Sequence, residues 1–148
     1  MPGDTPSRGL IDTNIIVHLA ALDPAQLPDE MVISAVTLAD LSAGPHHAAD
    51  PVERARRTNV LQHAEATFDP LPFDAEAARA FGIIYAGVLA VGRTPRRRIA
   101  DLMIAATAIV NRVALYTTNP DDFTGLNHLL PIKPVQRPKP PKPCRATP

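Results

Sequence analysis

The chain contains no tryptophan, and only two tyrosines and four phenylalanines. With aromatics at 4%, a broad base-stacking platform for single-stranded nucleic acid is excluded, because such platforms are built from aromatic faces. Any RNA would instead be selected by its shape and a small groove. Cys144 is the one cysteine, so no internal disulfide can form; a reducing compartment is compatible, and the cytoplasm is the expected location. No apolar run approaches the roughly eighteen residues that cross a bilayer. The opening MPGDTPSRG also lacks the charged-then-apolar layout of a secretory signal, so no membrane association is expected. Ser34 and Ser42 stand in no GxSxG elbow, and no lysine follows a Gly-rich phosphate loop, which sets aside acyl transfer and nucleoside triphosphate hydrolysis.

A net charge of zero argues against binding through bulk charge, but the average hides an asymmetry. Lys133, Arg137, Lys139, Lys142 and Arg145 follow Ile132 with no acid among them, leaving ten basic against fifteen acidic residues in the body of the chain. The final PVQRPKPPKPCRATP cannot form a helix or a central strand, because proline removes donors and fixes φ. Residues 136–148 are therefore expected to be a disordered Pro/Lys-rich tail that solvates rather than binds, and residues 1–8 a flexible lead-in. Between them, 9–135 has the length and the apolar content for one domain with a real core.

Within that domain short apolar runs alternate with helical patterns. Gly9–Asp12 reads as a buried strand and Ile15–Leu22 as a helix packed on a sheet. MVIS, 31–34, followed by AVTLADLSAG repeats the step, with Gly44 and Pro45 closing the helix. From Asp50, a cap followed by proline opens an amphipathic helix with Val52, Ala55, Leu61 and Ala64 as its apolar positions. Asp74 caps a long helix whose inner face holds Ala77, Phe81, Ile84, Tyr85 and Val88. The basic loop RTPRRR precedes IADLMIAATAIVNR, apolar nearly all round and so buried on most sides. ALYTTN gives a last strand, and NPDDFTGL a capped turn. The alternation predicts an α/β fold, a parallel sheet with helices on both faces.

In such folds ligands bind beyond the carboxyl ends of the strands. Asp12 ends the first strand, Asp40 lies on the helix after the second, Asp101 opens the buried helix, and Asn119, Asp121 and Asp122 follow the last strand. Taken singly, Asp12 and Asn14 could cap a helix and Asp101 could be a first-turn acid favoured by the helix dipole. Asp40 resists that explanation, since aspartate is a mediocre helix former and has leucines and no cation beside it. Converging carboxylates repel and would protonate unless a hard divalent cation, Mg²⁺ or Mn²⁺, neutralised them. Metal-assisted phosphodiester chemistry follows from such a site. His46 and His47 are adjacent on a turn and read as surface residues, while His18, His63 and His128 are scattered.

LIDTN, TLADLSAG, RRRIADLMIAATA and LYTTNPDDF, in this order, resemble the blocks of the PIN domain, and in particular the VapC-type toxin ribonucleases of toxin–antitoxin pairs. The resemblance spans about residues 9–135 and implies a PIN-like three-layer α/β/α sandwich around a central parallel sheet. It implies that Asp12 and Asp101 match the first and third metal-binding acids, that Thr117 matches the hydroxyl of the last block, and that Asn119 stands where relatives carry Asp or Asn. Asp122 is the nearby carboxylate that could substitute, with Asp121 belonging to the turn. Asp40 departs from the pattern, since the second acid is usually glutamate; one methylene is missing.

The implied activity is a Mg²⁺-dependent endoribonuclease, with Mn²⁺ as substitute, that leaves a 5′-phosphate and arrests translation and growth. Implied partners are RNA, a second copy of the chain in a homodimer, and a VapB-type antitoxin whose C-terminal segment lies in the active-site groove. Arg97 and Arg98 of the basic loop, with Thr13 and Asn14 beside Asp12, are the expected RNA contacts. Two other readings use the same residues. A non-cleaving RNA- or protein-binding module is compatible with the short Asp40 and the neutral Asn119, and a metal-dependent phosphatase is compatible with the acids themselves.

Overall fold

The strand β1, Arg8–Ile11, has no polar side chain after Arg8, and its Leu10 and Ile11 point to opposite sides with neither exposed. A strand buried on both faces belongs at the centre of a parallel sheet. In the computed structural model, which describes residues 7–138, it does lie there: the order is β2-β1-β3-β4, with β2 Glu30–Val32, β3 Ala114–Thr117 and β4 Ile132–Pro134. Every pairing is parallel, Leu10 standing opposite Val32 on one side and Leu115 on the other. Gly9 is required by its neighbour: a Cβ there would stand 2.3 Å from Cε2 of Tyr116.

The sheet divides the core in two. Leu10 and Leu115 join Ile84 and Val88 of α4 (Ala75–Ala90) and Leu102, Ile104 and Ala105 of α5 (Ile99–Val110) on one face. Ile11 and Ile33 join Ile15 of α1 (Thr13–Val17), Leu41 of α2 (Ala35–Ala43) and Ala64 of α3 (Pro51–Thr67) on the other. The expected three-layer α/β/α sandwich is therefore present. Three of the helices, α2, α3 and α4, begin at a side-chain cap: Ser34 Oγ accepts from Val36 N at 3.0 Å, Asp50 Oδ1 from Glu53 N at 2.8 Å, and Asp74 Oδ1 from Ala77 N at 3.0 Å. No helix among the described residues is long and apolar enough to cross a membrane.

Four features differ from the sequence-based expectations. The first helix is shorter: α1 stops at Val17, and a 3-10 turn over Leu19–Ala21 takes up the remainder, in keeping with three successive β-branched residues, Ile15–Val17, and with Asp23–Pro24 shortly beyond. The buried face of α3 is Val60, Leu61 and Ala64, whereas Val52 is 80% exposed and Ala55 is exposed. The chain is pinned before residue 9, since Ser7 N donates to Asp29 Oδ2 at 3.0 Å and Asp29 N to Ser7 Oγ at 2.9 Å.

The fourth difference lies at the other end, where β4 is a further strand. It sits at the sheet edge, where Pro134 is tolerated because one side needs no donor. Val135 N then donates to Thr117 O at 2.8 Å, and Gln136 N to Gln26 Oε1 at 2.7 Å. The first residues ascribed to a disordered tail are thus bonded to the domain. The expectations for residues 1–6 and 139–148, which include Cys144, lie outside the described residues.

Candidate metal centre

Asp12 stands at the carboxyl end of β1, 2% exposed. Its backbone N donates to Tyr116 O at 2.9 Å, fixing it against β3. Each carboxylate oxygen receives one hydrogen bond, Oδ1 from Thr13 N at 2.8 Å and Oδ2 from Thr117 Oγ1 at 2.9 Å. Thr117 is itself fully buried, and Asn119 N donates to its Oγ1 at 3.0 Å. That bond leaves the threonine proton directed at Asp12. The carboxylate is therefore oriented by two donors with a lone pair left on each oxygen. Asp12 does bond the first backbone amide of α1, but capping alone does not require that its side chain be dry.

Burial pushes the Asp12 carboxyl above its ordinary value of 3.8; the bonds from Thr117 and Thr13 pull it back, and the charges of Asp122 and Asp40 push it up again. Asp101, in the first turn of α5, is pushed up to about 6, first by burial, then by Asp12, Asp122 and Asp40, with Arg98 acting the other way. No hydrogen bond to its carboxylate occurs among the described residues. Asp40 is raised mainly by burial and lowered by Thr13, whose Oγ1 lies 3.3 Å from Asp40 Oδ2 and 3.3 Å from Thr37 Oγ1. As a residue Asp40 is exposed, yet its carboxylate faces a groove lined by Thr13, Val17, Leu41 and Arg57. It is a rim acid, and it is the weakest acidic influence on both Asp12 and Asp101.

The residues expected to bind RNA separate. Thr13 faces Asp40, and Asn14 is half-buried and gives its carbonyl to His18 N at 3.3 Å. Arg98 is held by Asp122 Oδ1 at 3.0 Å and by Asp121 O at 3.2 Å, so much of its charge is already matched. Arg97 is exposed and has no ion pair among the described residues. Sequence reasoning counted Arg93 in the basic loop and Arg137 in the basic C-terminal stretch but assigned neither a partner: Arg93 donates to Asp121 O at 2.6 Å, and Arg137 to Asn119 Oδ1. No local pattern marks these partnerships, because both side chains are long and flexible and reach another element. His46 and His47 are exposed on the 3-10 turn Gly44–His47.

The charge of Asp122 thus reaches both Asp12 and Asp101, and that of Asp12 reaches Asp101, beyond the carboxyl ends of β1 and β3, with Asp40 further out. The oxygens of these acids are of the hard type that divalent ions such as Mg²⁺ and Mn²⁺ prefer. Among the described residues no three such groups are already drawn into one coordination shell. Like charges hold one another apart, and gathering them takes side-chain rotation plus the attraction of a cation. The raised pKa values weigh in favour of a cation site, since they register an excess of negative charge in a partly dry place.

Comparison with known proteins identifies the family. Residues 9–128 match the PIN domain. Ribonuclease VapC5 of Mycobacterium tuberculosis is 36% identical over 126 residues, covering 83% of this chain and 90% of the relative. Ribonuclease VapC8 of the same species is 30% identical over 101 residues, covering 68% and 89%. The crystal structure of a member of the VapBC family of toxin–antitoxin systems, VapBC-5 from M. tuberculosis, matches with a TM-score of 0.76 at 33% identity, over 89% of this chain and all of that one. The chain belongs to the PIN-domain family, as a VapC-type member.

Proposed function

We propose that this protein is the toxin of a toxin–antitoxin pair, an endoribonuclease that uses Mg²⁺ or Mn²⁺ to cleave RNA phosphodiester bonds and so arrest translation and growth. The observation that carries the reading is a dry, doubly oriented Asp12 raised by burial and by the charges of Asp122 and Asp40, beside an Asp101 that burial and the charges of Asp12 and Asp122 push up in turn. Asp12, Asp101 and Asp40 would hold the ion, Asp40 from the rim, with Asp122 or Asn119 completing the set directly or through water. A bound divalent cation supplies an activated water and neutralises charge developing on the phosphate.

The chain's own residues do the rest. Thr117 and the Thr13 amide keep the Asp12 oxygens from rotating, so no reorganisation is needed as charge develops. Arg98 restrains Asp122 and the turn carrying it. Arg97, exposed beside this turn, is free to meet a phosphate.

The antitoxin reading draws on the grooves beside Asp40. One is lined by Thr13, Val17, Leu41, Arg56, Arg57 and Val60; the next shares Val17, Arg56 and Val60 and continues past Ile16 and Leu19. An apolar segment of a VapB-type antitoxin fits such a path, and a basic side chain on it would be drawn to the acids. A homodimer is part of the same reading. A non-cleaving binding module is the second reading, favoured by the exposed position of the short Asp40. Cleavage of a structured RNA with Mn²⁺, lost in Asp12→Asn while melting is retained, tests the first reading. Wild-type protein that binds RNA yet binds no Mn²⁺ by calorimetry at millimolar metal would establish the second.

A further inference from the structure

We propose that the groove walled by Gln26, Thr118, Gln136 and Arg137, beside the acidic cluster, binds a flanking phosphate of the RNA substrate. The inference rests on the ribonuclease reading above and specifies where the strand runs after it leaves the acids.

Two independent features mark the groove. Thr118 is 8% exposed, and its Oγ1 is the one buried side-chain polar atom without a hydrogen-bond partner among the described residues. Leaving a buried hydroxyl unmade costs on the order of 1–3 kcal/mol, so an unpaired one calls for an explanation. Arg137 supplies the second feature. Its guanidinium donates to Asn119 Oδ1, a neutral acceptor, and no carboxylate among the described residues pairs with it. Four of its five donors remain for another acceptor.

The remaining walls select for an oxyanion. Gln26, Thr118, Pro120, Pro134, Val135, Gln136 and Arg137 line the groove, and none is acidic. The Gln136 backbone bond to Gln26 Oε1 leaves the Gln26 amide as a donor, and Pro120 and Pro134 stiffen both sides. A site with a guanidinium and amides on its surface, an unpaired hydroxyl buried in its wall and no competing carboxylate suits phosphate.

Its place in the fold ties it to the acids. Thr118 follows Thr117, which holds Asp12, and Arg137 touches Asn119, which bonds Thr117. The cluster and the groove are therefore two sides of one short segment after β3. A polynucleotide lying over the first presents its next anion to the second. A protein carboxylate could satisfy the groove too, but it would leave the continuity with the acids unused.

The test uses the full chain and a labelled RNA hairpin with a single-stranded loop. In EDTA, binding is measured from 50 to 200 mM KCl for wild type, Arg137→Ala, Arg137→Lys and Arg8→Ala, the last lying at the opposite end of β1 beside Glu30. Arg137→Ala should weaken binding about five- to tenfold at low salt and flatten the log–log salt slope by about 0.7, the value of one single-strand phosphate. Arg137→Lys should keep the slope, and Arg8→Ala should match wild type. With Mn²⁺, KM should rise by a similar factor while kcat stays within about twofold. An unchanged slope, or a kcat loss at constant KM, overturns the subsite. Loss of antitoxin affinity alone, with RNA binding intact, overturns it in favour of a protein ligand. Wild type that neither binds nor cuts RNA overturns the ribonuclease reading and the subsite with it, whereas active wild type indistinguishable from Arg137→Ala removes only the subsite.

Discussion

Replacing Asp101 by asparagine should stabilise the metal-free protein at neutral pH while abolishing its cleavage of RNA. Folding raises the Asp101 carboxyl from 3.8 to about 6, so between those values the folded state binds more protons than the unfolded one. Stability contributed by this group therefore falls as pH rises from about 4, and the full penalty is present above about 7. At about 1.36 kcal/mol for each pH step the ceiling is about 3 kcal/mol. Asp101 is only partly buried, and solvent screening reduces this to about 1–2 kcal/mol. Losing a favourable first-turn charge on α5 takes back about 0.5 kcal/mol.

A net gain of about 1 kcal/mol corresponds to a melting temperature higher by about 3–5 °C for a domain of this size. Thermal denaturation in EDTA from pH 4 to pH 8 reads it: the two proteins should melt together near pH 4 and diverge with Asp101→Asn on top by pH 7.5. Mn²⁺ should then reverse the order, because wild type gains about 2.7 kcal/mol at a hundred times its dissociation constant and the variant gains less. A difference independent of pH, or a lower melting temperature for the variant at pH 7.5 in EDTA, would refute the claim that burial and the neighbouring acids together penalise the ionised Asp101 in the fold.

Asp40→Glu should cleave faster with Mg²⁺ and narrow the wild-type preference for Mn²⁺, since the longer side chain reaches inward from the rim and Mg²⁺ tolerates little misfit; rates titrated with each metal check it, and a slower variant with Mg²⁺ would show that aspartate is the fitted ligand. Thr117→Val deletes both the donor to Asp12 and the acceptor of the Asn119 amide, so denaturant melts should report a loss of about 1–3 kcal/mol, with cleavage falling more than tenfold. Gly9→Ala drives a methyl into the Tyr116 ring and should lose about 1–3 kcal/mol by the same measurement; the double variant with Tyr116→Leu should recover part of it.

The acids were legible in the sequence because each sits inside a local block whose pattern places it at a strand end or a helix start. LIDTN combines a buried strand with a polar terminus, and IADLMIAATA combines a first-turn acid with a helix apolar all round. Partnerships were not legible. Thr13 with Asp40, Arg98 with Asp122 and Arg137 with Asn119 join residues that only the fold brings together. Composition concealed β4, because Pro134 and the prolines after it read as tail, although an edge strand makes ladder bonds on one side only. The inner face of α3 was misplaced at Val52 and Ala55 because its first turn runs past the layer it packs on, and periodicity alone does not show where a helix leaves its support.

The bond from Thr117 to Asp12 joins residues 105 apart in sequence, and it bears on when the protein becomes dangerous to its maker. A nascent chain that has emerged only as far as α4 carries Asp12 and Asp40 but neither Asp101 nor the strand that orients the first acid. Local helices form early, whereas closure of so long a loop comes late in folding. Activity therefore waits for the last third of the polypeptide, after β1 has been flanked on its second side. During that interval a partner arriving at the α1–α3 grooves would meet surfaces built from residues 13–63, which exist before the acids are assembled. Restraint of the enzyme can in this way precede its competence.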